Sequence, residues 1–449
     1  MTGKIKKMHW SSAQVIITGF LFLILAGTVL LMLPVSSAEG RWTSFTDALF
    51  TSTSASCVTG LVVKDTATYW SGFGQFIIIL LIQTGGMGVV TMALAISLLS
   101  GRRISLSQRQ FMQDSISARQ VGGIVRMTGF ILRTSLCIEL LGAFALSLVF
   151  IPEFGIPKGI WYSLFHGVSA FCNAGFDLMG VKSNFSSLVD YTGNGIINIT
   201  VTALILTGGL GFATWADIRQ YGMKIRRYSM QSKIILVTTA MLVIFPMIYF
   251  YYYEFSQDRW AYLTEAEKLW ASFFRAITPR TAGFNTVDMT AFSEHSLLVT
   301  IVLMLIGGCP GSTAGGMKTT TIAVLFLSMS ATFMRKGNPD RFGRRIGNET
   351  IKNAATIFMM YTVLFVTGSM AISMAEGLPL SVCMFETASA IGTVGLSLGL
   401  TPTLGMFSRT ILILLMYLGR VGGLTLIFAT VKGVRNGSGK YPEEKITVG

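Results

Sequence analysis

Charge is scarce in this chain. Asp, Glu, Lys and Arg make up 12% of its 449 residues, and a soluble domain carries about twice that share. Histidine is scarcer: His9, His166 and His295 stand far apart, which argues against an enzyme built on imidazoles clustered in the membrane. The five cysteines, Cys57, Cys137, Cys172, Cys309 and Cys383, show no CxxC spacing, so neither a zinc site nor a disulfide framework has support. No G-x-G-x-x-G nucleotide fingerprint occurs anywhere.

Long uncharged runs are present instead. "VIITGFLFLILAGTVLLML" (15–33) and "IILVTTAMLVIFPMIYFYYY" (234–253) are the clearest, and a helix needs roughly 20 apolar residues to cross hydrocarbon. The composition is that of an all-α, polytopic integral membrane protein. The first run, flanked by "KIKK" and "SSA", resembles a signal peptide, but its 19 uncharged residues exceed an h-region of about 7–15; it is expected to be a retained span.

The net charge of +14 is gathered on alternate connections. Three Lys/Arg precede the first span, five lie between Arg102 and Arg126, five between Arg219 and Lys233, six between Arg335 and Lys352, and four from Lys432 onward, 23 of 35 in all. Alternation of this kind is the positive-inside pattern and predicts that both termini are cytoplasmic. A nucleic-acid surface would interleave aromatics and would not alternate, so no nucleic-acid partner is expected.

A short motif recurs four times: "SASCVTGL" (54–61), "SAFCNAGF" (169–176), "ITPRTAGF" (277–284) and "SAIGTVGL" (389–396). Aligned on Gly60, Gly175, Gly283 and Gly395, the copies are 115, 108 and 112 residues apart, each with a phenylalanine (Phe50, Phe165, Phe273, Phe385) ten residues upstream. A long apolar run precedes each motif (about 12–34, 121–151, 232–253 and 354–375), a segment too short to span leads into it, and a second run follows (74–100, 192–216, 296–333 and 407–431). The unit is span, half-helix, extended loop, span, with four tandem repeats at 1–112, 113–224, 225–340 and 341–449 and eight full spans around one central pore. Non-helical backbone at membrane depth must be buried or line a watery path. Four such loops around one axis can offer carbonyl oxygens to a monovalent cation in place of its hydration shell. Cys57, Val58, Thr59 and Gly60, Cys172, Asn173, Ala174 and Gly175, Thr281, Ala282 and Gly283, and Thr393, Val394 and Gly395 are the candidate ion-filter residues. Cys57 and Cys172 read as small, polarizable fillers there.

Asp65, Asp177 and Asp288 follow their glycines closely, either as acids that concentrate cations or as ordinary solvated loop residues. Arg280 is expected to point away from the ion path, toward Glu386 or another acid. Arg133 and Glu139, six apart, do not share a helix face, so interhelical partners are expected. The second runs contain "QTGGMG" (83–88), "LTGGLG" (206–211), "IGGCPGSTAGGMKTT" (306–320) and "GRVGG" (419–423). The first two fit helix packing. The third, with Pro310 removing a donor, should unwind its helix. It is not a phosphate loop, because Met317 separates Gly316 from Lys318. Arg420 lies mid-span, where charge is functional by default.

The four filter-like stretches in register resemble the Ktr/Trk/HKT superfamily of potassium and sodium transporters, most closely a bacterial KtrB-type membrane subunit, over essentially the whole chain. Glycine at all four filter positions implies potassium as the transported ion, bound at the filter residues. The resemblance also implies that Gly311, Ser312, Thr313, Ala314, Gly315, Gly316 and Lys318 form an intramembrane gate, and that Arg420 limits cation passage beside it. Further implications are a homodimer in the bacterial cytoplasmic membrane and no covalent cofactor. Sodium dependence is a further possibility, and nucleotide would act only through a separate cytosolic RCK-type subunit, an octameric ring in relatives. The residues after 432 carry no nucleotide motif of their own. The alternatives are a sodium-coupled or sodium-permeable cation transporter and a secondary solute symporter; the latter needs inverted repeats and intramembrane acids.

The charge alternation makes a direct prediction. Cysteine placed at Ser107 or Asn338 will be labelled by an impermeant thiol reagent only from the cytoplasmic side; labelling from outside at either site would overturn the topology.

Overall fold

The computed structural model describes residues 11–93, 109–110, 113, 123–423 and 425. Ser107, most of the 102–122 connection, the far ends of the runs 74–100 and 407–431, and the basic residues beyond 425 lie outside the described residues. The architecture is α-helical, with one two-stranded hairpin among the described residues, β1 (Asp340–Arg341) against β2 (Arg344–Arg345).

Among the described residues, four single helices are long and apolar enough to cross a membrane: α1 (Ser12–Met32), α4 (Ile124–Phe154), α8 (Met230–Tyr249, continued by a π turn to Glu254) and α12 (Asn348–Glu376). They are the four first runs. Each is followed by a shorter helix, α2 (Phe45–Ser56), α5 (Ile156–Phe171), α9 (Glu265–Ile277) and α13 (Leu380–Gly392). Sequence chemistry fixes their starts. Ser44 accepts the Asp47 N–H at the head of α2, and Thr264 and Glu267 form a reciprocal capping box at the head of α9.

Three of the second runs differ from the expected unbroken spans, while the third run unwinds as its glycines and Pro310 predict. After α3 (Gly72–Met87) the helix breaks at Gly88, α6 (Gly195–Gly209) and α7 (Phe212–Tyr221) meet at 97°, and α14 (Met406–Val421) stops at Gly422. Between α10 (Glu294–Leu305) and α11 (Thr319–Phe333) the chain is non-helical. Gly88, Gly211, Gly311 and Gly422 all have positive φ, 86°, 87°, 62° and 87°, a conformation that a side chain resists. The glycines of the first two clusters therefore do more than pack. They also bend the chain.

They pack as well. A Cβ on Gly85 would overlap the Ser56 carbonyl oxygen, on Gly208 that of Phe171, and on Gly419 that of Ile391. The last turns of three half-helices thus rest directly on bare backbone of the second-run helices, the close approach that small residues permit within a membrane. Neighbouring sectors are tied at their loops. Arg409 of α14 pairs with Asp47 of α2 at 2.8 Å, the Phe185 N–H donates to Asp65 at 2.8 Å, and the Leu188 N–H donates to the Asn285 carbonyl at 2.9 Å.

Candidate functional site

Each half-helix ends within three to six residues of its motif glycine, and the backbone then alternates in hand. Cys57 is right-handed at φ −83°, Val58 lies at +58°, and Gly60 at +93°. Positive φ recurs two residues before every motif glycine, at Val58, Asn173, Thr281 and Thr393, and again at every glycine. Non-glycine residues seldom adopt this region, so four instances in register mark one backbone shape built four times.

The four stretches meet. A Cβ on Gly60 would lie 2.5 Å from the Ala174 carbonyl oxygen and 3.1 Å from the Gly175 Cα. On Gly175 it would lie 2.8 Å from the Ala282 oxygen and 2.9 Å from the Gly283 Cα. On Gly283 it would overlap the Val394 oxygen, and on Gly395 that of Thr59, 2.9 Å from the Gly60 Cα. The glycines therefore close a ring in chain order, each flanked by the carbonyl of the residue preceding the next glycine. Of the named filter candidates, Thr59, Gly60, Ala174, Gly175, Ala282, Gly283, Val394 and Gly395 make these ring contacts; Cys57, Val58, Cys172, Asn173, Thr281 and Thr393 precede them in the same four stretches.

Internal braces hold each stretch. The N–H before the glycine donates to a carbonyl of the half-helix: Thr59 to Ser54, Ala174 to Ser169 and Val394 to Ser389, each at 2.8 Å. The hydroxyls of Ser54 and Ser389 accept the Gly60 and Gly395 N–H groups at 3.1 and 3.0 Å, while Ser169 donates to the Phe176 carbonyl at 2.7 Å. The third copy is offset. Ala282 donates to Thr278 at 3.0 Å, and Thr278 takes the place of the serine by donating to Phe284 at 2.5 Å. Phe274 is buried at 1% exposure while Phe273 is only partly buried, so Phe274 is the true partner of Phe50, Phe165 and Phe385. The equal spacing of Phe273 in the sequence misaligns this repeat by one residue. Pro279, which has no N–H, accompanies the offset.

Sequence reasoning missed these serines as braces, although their position six residues before the glycine is visible in three of the four motifs. It also missed a second support. His166 and Glu386, each following its buried phenylalanine, accept the N–H three residues beyond the glycine: Leu178 to His166 Nε2 at 3.3 Å and Leu398 to Glu386 at 3.0 Å. His166 Nδ1 therefore carries the proton and donates to the Tyr162 carbonyl at 2.7 Å. Glu386 also accepts from Ser397 and Thr401, so it is not the partner expected for Arg280. Arg280, buried, donates to Thr239 of α8 at 3.3 Å instead. Glu139 of α4 likewise takes an interhelical partner, Gln83 of α3, at 3.0 Å.

On one side of the ring lies a cavity of about 360 Å³, lined by all four glycines and by Asp65 and Asp177. Asp288 is not part of it; it is exposed and caps the turn at Thr290. Asp65 is largely consumed by structure, accepting from Ala67, Thr68 and Phe185. Burial pushes the Asp177 carboxyl up to about 7; the Met179 N–H opposes this, and Asp65 nearby adds to it.

On the other side, residues 311–318 lie against the ring. The Thr313 hydroxyl donates to the Phe171 carbonyl at 3.0 Å, a Cβ on Gly315 would overlap the Thr393 hydroxyl, and the Gly316 N–H donates to the Gly419 carbonyl at 3.1 Å. Two cations hold the loop's carbonyls. Arg420 donates to Thr313 and also to Gly85 and Gly86, while Lys318 donates to Ala314 at 2.8 Å and Gly315 at 3.3 Å. A cavity of about 250 Å³ lies beside them, lined by Gly311, Ala314, Lys318 and Arg420 among others. The named residues Gly311 to Lys318 and Arg420 are thus one contiguous cluster.

The family model described as TrkH, cation transport protein, matches residues 6–438. Among curated proteins, the potassium/sodium uptake protein NtpJ of Enterococcus hirae is 43% identical over 100% of this chain and 99% of its own length. Ktr system potassium uptake protein B of Bacillus subtilis is 37% identical over 99% and 98%. The crystal structure of the potassium transporter TrkH from Vibrio parahaemolyticus superposes with a TM-score of 0.69 at 20% identity, covering 95% of this chain and 86% of that one, a likeness of fold.

The ring's tightness sets its own test. Gly60→Ser will lower stability by about 1–3 kcal/mol, the usual cost of overpacking, because the new Cβ meets the Ala174 carbonyl. Thermal denaturation of the purified variant checks it. An unchanged midpoint would mean that the four stretches do not close as described.

Proposed function

Since this chain belongs to the TrkH family of cation transport proteins and is a membrane subunit of cation uptake, we propose that the glycine ring is its ion filter and that potassium is the ion it selects. The closed ring of four Cβ-free positions interleaved with carbonyl oxygens carries this reading. Carbonyl rings replace a cation's hydration shell, and the C-terminal, partially negative ends of four half-helices converge on the same point. The four tandem units 1–112, 113–224, 225–340 and 341–449 are the sectors of this one pathway, with the 360 Å³ cavity as its outer entrance and both termini cytoplasmic.

Residues 311–318 are the gate. In the arrangement described, the loop blocks the path beneath the ring, and the Arg420 and Lys318 cations hold it there while repelling ions in a low-dielectric passage. A separate cytosolic nucleotide-binding subunit, docking on the basic connections, would release it, and the relatives' designation as parts of a Ktr system supports a multicomponent assembly. A homodimer in the cytoplasmic membrane completes the proposal. Sodium is the second reading, favoured by the potassium/sodium designation of the relative from Enterococcus hirae.

Flux into liposomes holding this chain alone, with potassium, rubidium and sodium compared, tests the filter: equal permeation of sodium and potassium would overturn potassium selectivity. For the gate, deletion of residues 312–315 or Arg420→Ala will raise basal flux roughly tenfold, since hydrogen bonds to a charged group contribute about 1.5–3 kcal/mol each. Flux at or below wild type in folded, monodisperse preparations of both variants would sink the gate assignment.

Asp177 gives a pH dependence. With its carboxyl raised to about 7, it is charged above that pH and neutral below. As external pH falls through about 7, cation entry will drop roughly fivefold, the effect of about 1 kcal/mol from one solvated unit charge at close range. Asp177→Asn will remove the step and hold flux at the lower level. A step that persists in the variant would assign the titration elsewhere.

A further inference from the structure

The face bearing the basic connections contains another cavity, of about 570 Å³, apart from the ring. The first turns of α8, α11 and α12 frame it, and the β1–β2 hairpin closes one side. Its polar side chains include Gln231, Thr320, Thr321, Arg344, Arg345 and Asn353, and no Asp or Glu lines it. Its apolar wall includes Ile234, Val324, Ile346 and Ile357. Ile346 is buried with Val324 and Ala354, which anchors the hairpin to the helices.

Two features give this cavity a positive potential. Arg344 and Arg345 form no ion pair among the described residues. Helices α11 and α12 begin at Lys318 and Gly347, and neither N-cap supplies a side-chain acceptor. Glu349 stands in the first turn of α12, and the Thr319 N–H at the start of α11 already donates to the Gly308 carbonyl at 3.0 Å, so the helix starts add only a modest partial positive charge and the two arginines carry the site. A cavity cationic at its rim and apolar within, at the starts of membrane helices, suits an amphiphile with an anionic head.

We infer that this cavity binds the phosphate headgroup of an anionic phospholipid, with Arg344 and Arg345 on the phosphate and the acyl region against Ile234, Val324 and Ile357. Arginine's planar fork matches phosphate oxygens. The site adjoins the ion path. Thr321 and Ile357 line both this cavity and the one beside Arg420, and α11 continues directly from the 311–318 loop. Lipid occupancy therefore fixes the start of α11 and, through it, the loop. This coupling rests on the gate reading above; the binding site itself does not.

The test uses the full chain, purified, with native mass spectrometry and thermal denaturation in phosphatidylglycerol, phosphatidylcholine or inorganic phosphate. Phosphatidylglycerol will be retained and will raise the midpoint; the other two will not. Arg344→Gln with Arg345→Gln will weaken phosphatidylglycerol binding roughly thirtyfold, taking about 1 kcal/mol per arginine, and lysine at both positions will restore most of it. Equal binding by wild type and the glutamine variant would overturn the site. A midpoint rise with inorganic phosphate matching that with lipid would overturn the lipid assignment in favour of a soluble phosphate compound. Rubidium flux in vesicles with and without phosphatidylglycerol reads the coupling. Flux that ignores the lipid while binding persists would overturn the coupling alone, and the loop deletion separately judges the gate.

Discussion

Four backbones approach one axis so closely that no side-chain atom fits between them, and most of the structure follows from that constraint. Glycine is required at Gly60, Gly175, Gly283 and Gly395 because each would-be Cβ position is already occupied by a carbonyl oxygen or a neighbouring Cα. Carbonyls held this near one another repel and need support from outside the ring. The support comes from the half-helices: serine or threonine hydroxyls at the end of each, and His166 and Glu386 one turn further back. A side-chain cage would need bulk at the axis. This design moves all bulk to a second layer.

The same economy of side chains governs the layer beneath. The 311–318 loop has little regular hydrogen bonding of its own, and its carbonyls are satisfied by two cations and by neighbouring glycine backbones. Arg420 of α14 reaches two other chain segments at once, Thr313 in the loop and Gly85 and Gly86 in α3. Its guanidinium joins the first, third and fourth sectors with donors in a rigid fork that lysine lacks. Only bare, bent helices leave such carbonyls open, and so the glycine breaks and the arginine belong to one arrangement.

Much of this was legible in the sequence, for stated reasons. A long apolar run is unambiguous, and the repeat is visible because sterics fix the glycine itself. What escaped is what depends on register and on distant partners. The third repeat carries phenylalanine at both 273 and 274, so equal spacing selected the wrong one, and only burial separates them. Arg280 finds Thr239 across a helix interface that no local pattern encodes. The breaks at Gly88 and Gly211 look in sequence like packing glycines, because packing and positive φ call for the same residue. His166 and Glu386 share a role but no chemistry, so no motif search would pair them.

The ring closes in chain order, and this has a consequence for biosynthesis. The first stretch must wait for the last: Gly60 is completed by Gly395, which leaves the ribosome more than three hundred residues later. Until then the nascent first sector holds an open, partly unsatisfied backbone within the bilayer, an unfavourable state that membrane insertion must tolerate. A chain that terminates before Gly395 therefore cannot close the ring. It leaves three of the stretches in place with one seam open.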